Sequence, residues 1–240
     1  MPERFEMFGG QHVTALLIFA LGVPAAVWLG RRVRGTSAEQ RVSRALAVAI
    51  VSVTVPLQLL QLMPAEWDLD TSLPFQLCDL AWMVAVHALW TRSRVSATIA
   101  YLWGITLTTQ AMITPDLVTP FPEPRFVMFW ATHILIVWAA IYLVPGLRIV
   151  PTWRTYGWAV GATGAWAVAA FTFNVVAGTN YGFLNAKPSQ GSVLDLLPAW
   201  PWYVAVQVVV VAAAWALMVL PWQRAVEERR RGTGARGREG

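Results

Sequence analysis

Seven apolar stretches, near residues 12–30, 45–63, 75–91, 95–113, 125–144, 156–178 and 201–221, follow one another with only short polar breaks between them. A helix needs roughly 20 apolar residues to cross the hydrocarbon of a bilayer, where every backbone N–H and C=O must be satisfied from within. The chain is therefore expected to be all-α, a polytopic bundle of seven transmembrane helices over residues 1–222, with 223–240 as a disordered basic cytoplasmic tail touching anionic lipid. Only 13% of its 240 residues are charged and 57% are hydrophobic, where a soluble domain would carry about 25% charge. No length is left for a separate soluble domain. The third stretch is short and interrupted by Asp79, and it begins after Pro74, which suits a helix start. The first stretch is not read as a cleaved signal, because no basic segment precedes it and an Arg cluster follows.

A net charge of +5 raises the question of nucleic acid, and the placement of the charge answers it. Of the 18 basic residues, 15 fall in alternate segments beginning with 31–44, and three fall in the others. That asymmetry sets orientation: the N-terminus is expected outside and the C-terminus in the cytoplasm, with no nucleic-acid partner. Glu66, Asp68, Asp70, Asp116 and Glu123 all fall in segments assigned outside. Pro24 and Pro56 lie inside spans and are expected to kink them. Gly157, Gly161 and Gly164 in the sixth span read as a small-residue ridge for helix packing.

With orientation assigned, each polar residue acquires a depth. His12, Gln58, Gln61, Gln76, Cys78, Asp79, Thr108, Thr109, Gln110 and Asn174 lie toward the outer ends of their spans. Thr132 and His133 lie about 12 Å in from the outer face, and His87 falls in the inner half. Polar groups in hydrocarbon cost about 2.5–3.5 kcal/mol each when ionisable, so they normally face a bundle interior or a wet cavity. A shared outer depth on six spans predicts one polar pocket opening outward, against the simpler reading of hydrogen bonds between helices.

Cys78 is the strong nucleophile of this set, in the first turn of a span where the helix dipole favours negative charge. His133 is the candidate base, with Asp79 or Asn174 to orient its ring, although Cys78 at about 6 Å and His133 at about 12 Å differ in depth. Being the sole cysteine, Cys78 excludes an internal disulfide, a CxxC redox pair and a multi-cysteine metal site. A retinal protein would need a lysine in mid-span, whereas the one lysine, Lys187, is in a loop. His12, His133 and Asp79 are suitable metal ligands by type, but no HxxxH or ExxH spacing supports a metal site, and no cofactor is called for. The outer loop 178–201 combines Asn180, Tyr181, Asn185, Lys187, Ser189 and Asp195 with Leu and Trp residues. It reads either as a lid whose Lys187 meets a lipid phosphate or as an interfacial anchor.

The segments FGGQH and LPFQLCDL, the mid-span His133 and the run TNYGFLNAKPSQGSVLDLLPAWPWY resemble the YwaF-like family of bacterial integral membrane proteins, across roughly residues 5–222. That family is related to eukaryotic multi-pass proteins described as acyltransferases of lyso ether-phospholipids, with a Cys and a His as the catalytic pair. The resemblance implies that Cys78 and His133 match that pair, and it implies a multi-pass protein of the bacterial plasma membrane. The expected function is lipid acyl transfer through a Cys78 thioester with His133 as base. Asp79 and Asn174 would support the pair, and His12, Gln110, Asn180, Tyr181 and Lys187 would bind substrate. The expected partners are membrane lipids, and no oligomeric state is assigned. The alternative is a non-enzymatic carrier or receptor in which Asp79 and His133 bind a small polar ligand.

Overall fold

The computed structural model describes residues 4–115, 117–188 and 192–236, so Asp116 and Ser189 lie outside the described residues. The protein is a polytopic helical membrane bundle, with no strand among the described residues. Helices α1 (Gly10–Val33) and α2 (Ala38–Gln61) form a hairpin, and α3 (Leu77–Thr91) follows after an irregular connection. In the fourth stretch, α4 (Arg94–Trp103) passes through a π-helical segment, Gly104–Thr108, into the short α5 (Thr109–Ile113). Helix α6 (Pro124–Ile141) ends in a second π-helical segment, Tyr142–Gly146, and α7 (Trp153–Ala177) and α8 (Trp202–Arg236) complete the chain. Five helices are long and apolar enough to cross a membrane: α1, α2, α6 with its π extension, α7 and Trp202–Arg224 of α8. The other two expected spans are the 15-residue α3 and the composite α4–α5. Helix α8 runs on to Arg236, so Trp222 is not a helix end.

Helix α6 is the axis of the bundle. Of its most apolar window 67% is buried, against 17–22% for the other four spans, and it packs on α1, α2, α3 and α4. Its sequence explains this: Trp130, Ile134, Val137 and Ile141 meet α1 on one side, while Ala139, Tyr142 and Leu143 meet α2 and α3 on another. A helix that is apolar all round belongs inside.

The glycines that permit close packing are not those the spacing suggested. A Cβ on Gly30 would stand 2.7 Å from the Cα of Gly146 and 2.8 Å from the carbonyl of Tyr142, so α1 and α6 touch backbone to backbone there. By contrast, a Cβ on Gly157, Gly161 or Gly164 meets nothing within 4 Å. The expected ridge on α7 therefore faces outward, because α7 packs through its opposite face, where Thr155, Ala159, Ala170 and Asn174 are buried.

At the ends assigned to the cytoplasm, guanidinium groups lie over indole rings: Arg32 on Trp28 at 5.7 Å, Arg44 on Trp90 at 5.0 Å and Arg148 on Trp222 at 5.9 Å. Arg92 pairs with Glu39 at 3.3 Å, joining the α1–α2 turn to the α3–α4 turn. Arg and Trp together are residues of the headgroup layer. A topology reporter fused after Gly240 is expected to read cytoplasmic, and one inserted near Ser189 external. Both on one side would refute the charge assignment and the seven crossings together.

Candidate functional site

The first turn of α3 is built from its own side chains. The N–H of Gln76 donates to the Asp79 carboxylate at 3.0 Å, and the N–H of Asp79 donates back to the Gln76 carbonyl at 3.0 Å. Asp79 is thus occupied in starting the helix. Cys78 sits in that turn, half-buried and with a free thiol.

Counted back from the far ends of their helices, Cys78 and His133 stand at the same number of residues. Cys78 stands thirteen residues before Thr91, the last residue of α3, and His133 thirteen before Gly146, the end of the α6 extension. At 1.5 Å per residue both lie about 20 Å from the inner ends of their helices. Core packing follows the same register. Ala81 shares a buried cluster with Ile136, and Ala85 and Leu89 share another with Ala139 and Leu143. One turn outward from the first of these pairs are Cys78 and His133. Helix α3 starts only at Leu77, after the irregular residues 62–76.

His133 is buried, and its Nδ1 lies 2.7 Å from the carbonyl oxygen of Phe129, one turn back on α6. A carbonyl only accepts, so Nδ1 carries the proton and Nε2 carries the lone pair. Nε2 makes no hydrogen bond among the described residues, and the ring rests on the Phe129 ring at a centroid distance of 4.2 Å. The orienting role expected of Asp79 or Asn174 is filled by the Phe129 carbonyl.

The other two histidines are committed elsewhere. The N–H of Phe8 donates to Nδ1 of His12 at 2.8 Å, so Nε2 bears the proton and donates to the Met112 carbonyl at 2.9 Å. Packed among Phe5, Phe8 and Trp130, His12 joins α1 to α5. His87 is exposed and lies 2.7 Å from the hydroxyl of Ser96. Gln110 is half-buried on α5, with no side-chain hydrogen bond among the described residues.

The outer loop closes directly on the start of α3. Asn174 is buried and fully used: its amide donates to the Tyr181 carbonyl and to Asn185, and its oxygen accepts from Thr179 and from the N–H of Tyr181. Tyr181 is also buried. Its hydroxyl donates to the Leu69 carbonyl at 2.6 Å and accepts from the N–H of Leu73 at 3.1 Å. Burial, with the carboxylates of Asp79, Asp70 and Asp68 adding to it, pushes this phenol above its usual range. The bond to Leu69 thus persists through neutral pH and is lost as pH rises past the elevated value. Gly182 donates its N–H to the Gln76 side chain at 3.0 Å, and Trp166 donates to the Phe75 carbonyl at 2.9 Å. Only glycine fits at 182, where φ is +68° and a Cβ would lie 2.5 Å from the Trp166 ring. Asn180 ties Asn185 and Ala186 into the loop. Lys187 donates to the Leu197 carbonyl at 2.7 Å and lies 5.8 Å from the Tyr203 ring centroid.

The expected site residues thus separate. Cys78, Asp79, Asn174, Asn180 and Tyr181 belong to one assembly at the head of α3, His133 is on the neighbouring α6, and His12 lies at the α1–α5 joint. Among the described residues no three His, Cys, Asp or Glu side chains come together as a metal-binding set, so His12, His133 and Asp79 do not form one.

Residues 7–219 match the family model of the TMEM164 family. The chain belongs to the TMEM164 family. No curated protein and no solved structure matches it. The matched residues of this TMEM164-family chain include all seven expected spans up to residue 219, together with Cys78, His133 and the outer loop.

Two residues near the pair were not singled out from the sequence. Trp82 on α3 and Trp130 on α6 each bury an indole N–H that has no acceptor. Trp82 stands four residues after Cys78, on the same helix face, and the i, i+4 spacing was the available signal.

Proposed function

We propose that this TMEM164-family membrane protein transfers acyl chains between lipids through a thioester on Cys78, with His133 as the base. The observation that carries the reading is the tautomer of His133. The Phe129 carbonyl holds the proton on Nδ1, which leaves the Nε2 lone pair unengaged on α6, the helix packed against the α3 that carries the thiol. The resemblance of LPFQLCDL, His133 and the outer loop to the YwaF-like proteins and their acyltransferase relatives supports the same pair, and with it a bacterial plasma membrane.

In the first half-reaction, Nε2 takes the thiol proton and the sulfur attacks an ester carbonyl of a phospholipid. The C–O bond breaks, and the imidazolium returns the proton to the leaving lysolipid hydroxyl. The first-turn N–H groups of Leu77 and Cys78 in α3 have no intrahelical acceptor and on this reading donate to the oxyanion, the former carbonyl oxygen of the tetrahedral intermediate. In the second half-reaction, Nε2 removes the proton of an acceptor lysolipid hydroxyl, which attacks the thioester. The acyl chain passes on and the thiol is reformed. A phospholipid is the donor on this reading, because acyl-CoA is confined to the cytoplasm and Cys78 lies toward the outer face.

The test is the thiol itself. In the purified protein, His133→Ala is expected to slow alkylation of Cys78 by a small uncharged reagent and to abolish transfer between phospholipid and lysolipid in vesicles. Unchanged alkylation and transfer would remove His133 from the chemistry. For the loop, Lys187→Ala is expected to slow transfer from anionic lipids severalfold more than from neutral ones, since the Lys187 ammonium retains two donors beyond its bond to Leu197. Equal loss on both would make Lys187 a fastener of the loop.

A further inference from the structure

We infer that Trp82 is a binding residue for the ester carbonyl of the lipid, donating its indole N–H to that oxygen. The inference rests on the reading of Cys78 as the site of lipid chemistry and adds the group that recognises the ester. An indole N–H is a donor with no other use, and in a protein interior it nearly always has a partner. The Trp82 N–H is buried and has none. Within a bilayer this is costlier than in a soluble protein, because bulk water cannot supply the acceptor. An orphaned donor at this place calls for an acceptor brought by something else.

Position narrows what that acceptor is. Trp82 follows Cys78 by four residues on α3, so the two share a face, and helical side chains lean toward the N-terminus over the preceding turn. That general direction carries the indole toward the turn of Cys78. Around it are apolar groups of two core clusters, with Ala81, Ala85, Leu102 and Trp103 among their members. Those surroundings suit an acyl chain and exclude an ionic headgroup. The acceptor that enters such a place with an acyl chain is the ester carbonyl at the head of that chain, and it is also the group the Cys78 sulfur attacks.

The inference separates lipids with a carbonyl from those without. Binding of diacyl and dialkyl-ether phosphatidylcholine to the purified full-length protein is measured in competition, under conditions in which no turnover is needed. The wild-type protein is expected to prefer the diacyl lipid by roughly fivefold, the value of one hydrogen bond. Trp82→Phe keeps most of the ring, and the preference should fall to about one. Its thermal midpoint without lipid should hold or rise, because the orphaned donor is gone. Cys78→Ala should keep the preference, whatever it does to transfer, so loss of the thioester reading and loss of this inference give different results. Absence of any diacyl preference in the wild-type protein would overturn the inference even if Trp82→Phe did not fold. So would a preference kept in Trp82→Phe, which would mean that a trapped water satisfies the indole, or one lost in Cys78→Ala, which would assign recognition to the thiol.

Discussion

Cys78→Ala is expected to abolish acyl transfer, by at least about a thousandfold, while the bundle stays folded. Cys78 is half-buried and makes no side-chain hydrogen bond among the described residues, so its replacement removes one sulfur and little packing. The stability cost should remain within about 1 kcal/mol. Cys78→Ser is expected to fail as well, because a hydroxyl is a far weaker nucleophile at neutral pH than a thiol with a base beside it. His87→Ala should leave transfer unchanged, since His87 is exposed and engaged with Ser96. Transfer rates and size-exclusion profiles of the three variants, measured together, check this. Full transfer by Cys78→Ala would end the thioester mechanism.

The second large effect concerns the bundle. Gly30→Leu is expected to prevent recovery of folded protein, because even the first side-chain carbon would stand 2.7 Å from the Gly146 backbone. Backbone cannot turn aside as a flexible side chain can, and overpacking a tight contact costs about 1–3 kcal/mol or more. The damage would fall on the joint between α1 and the axial helix α6. Gly22→Ala should also destabilise, where a Cβ would meet the Trp138 ring at 1.9 Å. Gly161→Ala is the control, with open space around its Cβ. It should hold or raise the thermal midpoint, since alanine is the better helix former by about 1 kcal/mol. A midpoint for Gly30→Leu equal to that of Gly161→Ala would refute the described packing of α1 on α6.

These two sets of residues show what the sequence could and could not disclose. Apolar length and loop charge made the helical membrane bundle legible, because bilayer thickness and backbone hydrogen bonding leave few alternatives. Spacing alone could not say which glycines touch a neighbour. Gly157, Gly161 and Gly164 form the better pattern, yet Gly30 and Gly146, far apart in the chain, form the contact. Depth along a span was similarly ambiguous for Cys78. The sequence hides that α3 begins only at Leu77, and it does not show that Ala81 and Ile136 join one buried cluster. The polar residues read from the sequence as one pocket divide by whether their hydrogen bonds are already used. Asn174 and His12 are saturated, whereas Nε2 of His133 is not, and that distinction depends on partners four to a hundred residues away. Gln76 and Gly182 belong to the two most distinctive sequence runs, and their hydrogen bond shows these runs to be one assembly.

The most direct measurement is of the intermediate itself. The purified protein is mixed with a diacyl phospholipid in vesicles without acceptor, quenched in acid, and its Cys78-containing peptide is weighed by mass spectrometry with and without neutral hydroxylamine. The account predicts a mass increase of one acyl chain on Cys78, removed by hydroxylamine and by added lysolipid, and absent in His133→Ala. An unmodified Cys78 under conditions in which transfer proceeds would contradict it.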